Sequence, residues 1–527
     1  MDVEKRGKMK KIKAFAQRTG VTIKEYTMPY QWEYLFGGIM VFFILYASMY
    51  DDFFATYRHG LNFWYALTEG HPLSFYSYAK AIPGATIHRS INSGAAYDFT
   101  IYAFFAVWNF PAWLYERISG NTAESCLLCL MWGKTMLAVV SIAGAVGVRK
   151  IHAFITGDRE GSKTALYAYL FSGILLMSAY YVGQYDIIGV VFAIYGVYYY
   201  LRKDYKKFYL FFAAAISCKY FAILVFVCLV LLCEKRILYI IRNMALGCWL
   251  VVAEKFLFSL GKSYAQIHPE AQAAAQSGNK VVATGILSSR MGYLFSFQID
   301  MGVDNLSVFV LAIGLLCAYC YLQKREENYA FYYKAVYAAF AANVFFAIFT
   351  SNPPYWVVLV VPWMMLTIYC NGEHLKLNVI AETIGTCSFL IWHMGREFYM
   401  FRSWGFESML MYYILGKPHH YRKGAGDVMQ VLMEGKLSVL FSLCRYAFYT
   451  CMIILVVVNF PRANKARYVK QQEVGMRGLH IFREVCVVGI LLLPVIVYVI
   501  QVVFAQQIMD ASFGSDTIMQ IVQQLRE

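Results

Sequence analysis

The chain is punctuated by apolar stretches of about 17–25 residues, the length a helix needs to cross ~30 Å of hydrocarbon. Trp32–Met49, Ser125–Val148, Asn305–Leu322 and Val485–Val503 are examples. Within lipid such a segment can satisfy its backbone only by closing its own hydrogen bonds, so each dictates a helix. Apolar residues fill 60% of the 527 positions and charged residues 15%, against roughly 45–50% and about 25% in soluble domains. No intervening segment is long enough for an independent soluble domain. The expected fold is therefore all-α: a polytopic transmembrane helical bundle of about 11–13 spans, some partial or re-entrant. The first 30 residues are polar and lead into the first apolar run without a small-residue cleavage site, which does not fit a cleavable signal.

The net charge of +15 is concentrated in short connectors beside the apolar runs. Residues 1–30 carry eight Lys/Arg against three acids, and further clusters lie at Arg149-Lys150 to Lys163, Arg202-Lys203, Lys206-Lys207, Glu234-Lys235-Arg236, Lys324-Arg325 and Arg462 to Arg483. Basic connectors mark the cytoplasmic side. The charge thus reports topology and anionic lipid headgroups, and no nucleic acid is expected as a partner. Four regions follow: a cytoplasmic basic segment 1–30, a transmembrane core 31–370 with an outer loop 51–96, a C-terminal transmembrane region 371–505 with an outer loop 396–439, and a tail 506–527. Basic clusters at both ends of 205–233 predict a hairpin with Lys219 near its outer tip. Counting both 97–115 and 125–148 as crossings would place the basic run 149–163 outside, so one of the two is expected to be partial. The Cys126/Cys129 and Cys317/Cys320 pairs lie inside apolar runs without partner ligands, the usual setting of cysteine as a small hydrophobe.

An ionisable group at membrane depth is costly, which makes each outer-face one a candidate for function. Asp51-Asp52 closes the first span. An acidic pair there either ends the helix in water or holds a general base for an acceptor hydroxyl. Arg58 and His59 follow within one or two turns and could hold a phosphate. Gly183-Gln184-Tyr185-Asp186 sets polar groups between two apolar runs, as a tight turn or as a site for a hydroxylated ligand. Lys219-Tyr220 follows a small-residue helix, where the lysine either snorkels or meets an anion. Ser351-Asn352-Pro353-Pro354-Tyr355-Trp356 is a rigid aromatic turn able to anchor the protein or to stack on a sugar. The outer segment 396–439 adds Arg396, Arg402, Lys417, His419, His420, Arg422 and Lys423, either a solvated loop or a phosphate clamp. Lys134 and Lys334 fall in apolar stretches without an assigned role. No cofactor or metal is called for; the acidic pair is the one place a divalent ion would sit.

The order of these elements from Tyr50 to about Pro362 resembles the GT-C superfamily of membrane glycosyltransferases, which take sugars from polyprenyl or dolichyl phosphate. That resemblance implies a GT-C-like fold, with Asp51 or Asp52 as catalytic base. Gln184, Tyr185, Asp186, Lys219 and Tyr220 would line the pocket of the lipid-phosphate donor, and Tyr355 and Trp356 match the late aromatic turn. Some members carry a histidine where this chain has Asn352 or Pro353, so Arg58, His59 or the 396–423 basic residues would supply the missing phosphate contact. The expected partners are a polyprenyl-phosphate-linked sugar, a lipid- or glycan-linked acceptor, and membrane lipid. The expected location is a bacterial plasma membrane, or the endoplasmic reticulum membrane in a eukaryote. A polysaccharide polymerase or ligase, and a lipid-linked-oligosaccharide flippase, are the alternatives.

Overall fold

A computed structural model describes residues 31–85, 90–91, 94–269, 294, 296–300, 305–397, 409–415, 438–462, 468 and 476–503. The segment 1–30, the tail 506–527 and the side chains of Arg396, Arg402, Lys417, His419, His420, Arg422 and Lys423 lie outside the described residues. Among those described, the regular secondary structure is helical apart from two short antiparallel pairings, Gly84–Ala85 with Ser90–Ile91 and Gln298–Asp300 with Asn305–Ser307.

Helix α1 (Gln31–Ala47) stops at Ser48, and α2 (Asp51–Thr68) leaves at 76° to it. Helices α3 (Phe99–Trp108) and α4 (Phe110–Ser119) have ten residues each, about 15 Å apiece and too short to cross. The stretch near 97–115 is thus a broken pair divided at Asn109. The crossing is made by α5 (Leu127–Thr156), 30 residues long. The parity conflict disappears, because Arg149–Lys163 now follows a single crossing.

Helix α6 (Arg159–Leu170) continues through Gly173–Leu175 into a π-helical turn over Leu176–Tyr181. The whole of Arg159–Tyr181 is long and apolar enough to span. Gly183 then takes φ +81°, a conformation that only glycine adopts at little cost, and turns the chain back. Apart from short helical pieces, including Phe75–Ala81, Tyr264–Ile267 and Leu410–Leu415, the helices that follow are α7 (Ile187–Leu201), α8 (Tyr205–Cys218), α9 (Ala222–Cys233), α10 (Ile237–Ser259), α11 (Val308–Leu322), α12 (Tyr329–Phe349), α13 (Val361–Cys370), α14 (Leu375–Glu397), α15 (Ser438–Val458) and α16 (Met476–Val503).

Helices α8 and α9 form the hairpin expected over 205–233. The Phe226 ring of α9 lies 5.3 Å from Phe208 and 5.1 Å from Phe212 of α8, and Tyr205 meets Cys233 at the open end. Lys219 is left at the closed tip. Small residues let the central helices approach: a Cβ on Gly147 of α5 would come 2.5 Å from Ile194 of α7.

Among the described residues, seven helices are long and apolar enough to cross a membrane, or eight if the bent α1–α2 pair counts as one span. Five shorter apolar helices, including α3, α7, α9 and α11, accompany them. The chain is therefore a multi-pass, all-helical membrane protein. Helix breaks cut several of the apolar stretches to 10–17 residues, as expected of a bundle in which some spans are partial.

The basic connectors gather at one end of the bundle. Lys203 pairs with Glu327, Arg325 Nη2 donates to the Tyr205 hydroxyl at 2.7 Å, and Lys235 Nζ donates to the Cys320 carbonyl at 3.0 Å. This end is the inner face by its charge. The C-terminal helices are tied in by a buried pair in which Arg483 of α16 reaches Glu382 of α14 at 2.6 Å and donates to the Ala168 carbonyl of α6. Amides of Asn371, Asn378 and Asn459 bond one another at 2.8–2.9 Å near the inner end.

The opposite placement of the two ends is testable. Ser351→Cys, at the exposed turn after α12, should react with a membrane-impermeant maleimide added outside intact cells. Lys206→Cys, exposed in the first turn of α8, should react only after permeabilisation. Labelling of both from the same side would overturn the topology.

Candidate active site

Four interruptions of helical backbone meet at the outer end of the bundle: 48–50, 182–186, 219–221 and 351–359. Non-helical backbone survives at membrane depth only when its polar groups are satisfied by protein. The Ser48 hydroxyl donates to the Tyr181 carbonyl at 2.7 Å, and the Lys134 ammonium donates to the carbonyls of Ser48 and Tyr180. Lys134 is fully buried on α5 and ties the first break to the second.

These breaks bring six side chains together. Asp52, in the first turn of α2, is half-buried. Its Oδ2 receives Gln184 Nε2 and the Tyr355 hydroxyl, each at 3.4 Å. Lys219 Nζ lies 2.9 Å from Asp186 Oδ1, with the two side chains 4% and 1% exposed. They face each other without hydrogen-bond alignment, so among the described residues the ammonium and both Asp186 oxygens retain hydrogen-bonding capacity. The ammonium also lies 4.3 Å from the Trp356 ring and 5.1 Å from the Tyr97 ring. Aromatic faces stabilise a cation that has lost its water. Phe221 packs against Trp356 at 5.0 Å and Phe346 at 4.2 Å, fixing the indole over the lysine. Asp186 and Lys219 are both within electrostatic reach of Asp52.

The cluster therefore combines a partly accessible carboxylate, a shielded ammonium with spare donor capacity, and aromatic walls. Such a set can accept a proton at Asp52 and hold an anion at Lys219. Tyr185 is buried behind it, edge-on to Tyr97 at 5.5 Å and Phe105 at 5.4 Å, and shapes the wall. Asp51 begins α2 beside Asp52. Among the described residues no group of three or more His, Cys, Asp or Glu is arranged to hold a metal ion.

Four sequence candidates sit elsewhere. Arg58 does not face the cluster: Glu116 takes its guanidinium at 2.5 and 3.1 Å, and Glu124 takes it from the other side, including at 2.6 Å to Nε. All three side chains are at most 5% exposed. The expected phosphate contact is thus a structural pin joining α2 to α4 and to the 123–125 turn. His59 is buried with its ring 5.7 Å from that of Tyr102. Asn352 closes the end of α12 by donating to the Phe346 carbonyl at 3.1 Å and to the Thr350 hydroxyl at 2.8 Å. Tyr220 is a side-chain neighbour of Asp98.

Tyr97 and Lys134 belong to the site or its frame and carried no clear sequence signal. Tyr97 lies in a loop rich in aromatic residues, and the partners of Lys134 are backbone carbonyls. No protein-family model matches the chain, and no curated protein is similar to it.

The Arg58 pin yields a stability prediction. Arg58→Met strands two carboxylates in a dry site and should destabilise the protein by about 3–5 kcal/mol. Tyr65→Phe removes only the hydroxyl that donates to Glu116 at 2.9 Å, and should cost about 1 kcal/mol. Equilibrium unfolding in lipid nanodiscs measures both. An Arg58→Met protein as stable as the wild type would contradict the buried triad.

Proposed function

We propose that the chain is a GT-C-type membrane glycosyltransferase, a hexosyltransferase that moves a sugar, mannose among the candidates, from a polyprenyl-phosphate donor to a lipid- or glycan-linked acceptor at the outer face. The observation that carries this reading is the convergence of Asp52, Gln184, Asp186, Lys219, Tyr355 and Trp356 from four separate breaks in the fold. Residues separated by up to 303 positions, as Asp52 and Tyr355 are, come together where a lipid-borne phosphate and a solvent-borne hydroxyl can meet. No second cluster among the described residues combines a partly exposed carboxylate with a shielded lysine in this way.

The chemistry follows from the positions. Asp52 takes the proton of the acceptor hydroxyl, whose oxygen attacks the anomeric carbon from the face opposite the phosphate. The bond from that carbon to the phosphate oxygen breaks, and the configuration inverts. The lipid phosphate leaves with the bonding electrons, and Lys219 stabilises the developing charge. A donor of this kind acts in a site walled from water, where such a contact is worth more than in solvent. Gln184 and Tyr355 orient Asp52, and Asp186 holds Lys219 in place until the phosphate arrives. Trp356 and Tyr97 shield the ammonium and offer faces to the sugar ring. The isoprenoid tail stays in lipid, which explains a catalytic body built of spans. A bacterial plasma membrane is the expected location, with the endoplasmic reticulum as the eukaryotic counterpart.

Asp52 rather than Asp51 is assigned as base, because Gln184 and Tyr355 both address it. Asp52→Asn should lower the turnover of a labelled polyprenyl-phosphate sugar in proteoliposomes by about 10²–10⁴-fold, the usual worth of a general base. Asp51→Asn should keep more than a tenth of the activity. Full turnover in Asp52→Asn would remove the proposed base.

A further inference from the structure

A cleft opens at the inner end of the bundle, opposite the end that holds Asp52 and Lys219. Its walls are Tyr329 and Tyr333 of α12, Asn371 and His374 after α13, and Asn459 and Arg462 after α15. The space between them is about 440 Å³, counted out into the open mouth. Its closed depth is much smaller, with room for about two water molecules. The two charged oxygens of a phosphate diester need that much space, whereas a nucleotide or a sugar ring needs far more.

The lining combines occupied acceptors with open donors. Helices α13 and α15 both end here, and bare terminal carbonyls would suit a cation. These are taken: the Tyr329 hydroxyl donates to the Cys370 carbonyl at 2.6 Å, the Tyr333 hydroxyl to the Asn459 carbonyl at 3.0 Å, and Asn459 Nδ2 to the Leu455 carbonyl at 2.8 Å. Ala330, by contrast, lines the cleft in the first turn of α12, where backbone N–H groups have no acceptor within the helix. Among the described residues, Arg462 and His374 have no hydrogen-bond or ion-pair partner. The acids nearby do not cancel these donors. Glu327 pairs with Lys203, and Glu326 accepts from Asn328 Nδ2 at 2.6 Å. Glu373 acts on Tyr329 through space but is exposed, where solvent and salt screen it.

The surroundings decide the source of the phosphate. The basic connectors place this end at the inner leaflet, whose anionic headgroups favour cationic protein surface. Helix α15 is mostly exposed to lipid. Val457 and Phe460, 64% and 48% exposed, extend its apolar side to the cleft, which Phe460 lines. A soluble anion gains nothing from that surface, whereas a lipid gains a bed for its acyl chains. We propose that the cleft binds the phosphate of an anionic phospholipid of the inner leaflet. Arg462 at the mouth makes the charge-assisted contact, and Phe460 packs against an acyl chain. The site uses none of the outer residues and is independent of the transferase reading.

The test titrates the full chain, purified in a neutral detergent, with dioctanoyl phosphatidylglycerol and follows bound lipid by native mass spectrometry. The wild type should show saturable binding. Arg462→Gln should weaken it about tenfold, the loss expected for one charge-assisted contact. Arg462 is exposed, so that variant keeps its fold. Lys206→Gln removes an exposed charge at the same end but outside the cleft, and should change binding less than about twofold. Ala330→Phe fills the cleft and should abolish saturable binding in a protein that still melts cooperatively; should it fail to fold, Arg462→Gln against Lys206→Gln decides. Inorganic phosphate and dioctanoyl phosphatidylcholine separate the sources. Both should bind far more weakly, the first for want of acyl chains and the second because its ammonium offsets the phosphate. No saturable binding by the wild type, equal weakening in Arg462→Gln and Lys206→Gln, or full binding in a folded Ala330→Phe would each overturn the site. So would inorganic phosphate or phosphatidylcholine bound as tightly as phosphatidylglycerol.

Discussion

Backbone polar groups have no water to turn to inside a bilayer, and this constraint governs where the chain can depart from helix. The Lys134 ammonium is the interaction that makes the departure workable. It is fully buried on α5 and donates to two carbonyls, Ser48 after α1 and Tyr180 in the π-helical turn. With the Ser48 hydroxyl on Tyr181, it holds two breaks side by side. Asp52 begins just after the first and Gln184 just after the second, so Lys134 and the Ser48 hydroxyl together hold the segments that bring them within reach.

The Lys219–Asp186 pair obeys a second constraint. A buried ion pair pays for desolvation and repays it only with good geometry. Here the pair is incompletely bonded and is supplemented by two aromatic faces. A pair optimised for stability alone would resemble Arg483–Glu382, whose guanidinium makes two aligned bonds to the carboxylate at 2.6 and 2.9 Å. The contrast separates the two buried pairs. One is closed and fastens the C-terminal helices, and the other keeps donor capacity at the outer face.

Much of the architecture was legible from the apolar stretches and the charge asymmetry. The hairpin at 205–233, and the need for one of 97–115 and 125–148 to be partial, followed from basic connectors that had to lie on one side; which of the two it was did not. The span count was less legible, because hydropathy marks an apolar run without showing where a break such as Asn109 divides it. In the site, local order placed Asp52, Gln184, Asp186, Lys219, Tyr355 and Trp356 as candidates, since each is polar or aromatic at an abrupt edge of an apolar run. Arg58 was misread because its partners Glu116 and Glu124 lie 58 and 66 residues away and look like ordinary loop acids. Lys134 had no legible role, because backbone carbonyls leave no trace in a sequence.

The central claim is that a lipid-linked phosphosugar binds where the four breaks meet. Photo-crosslinking with a polyprenyl-phosphate sugar bearing a diazirine beside the phosphate, followed by peptide mass spectrometry, tests this most directly. Label should concentrate on the peptides containing Tyr50–Asp52, Gly183–Asp186, Lys219–Phe221 and Asn352–Trp356. Label confined to the inner connectors, or spread evenly over the lipid-facing surfaces of α10, α15 and α16, would contradict it.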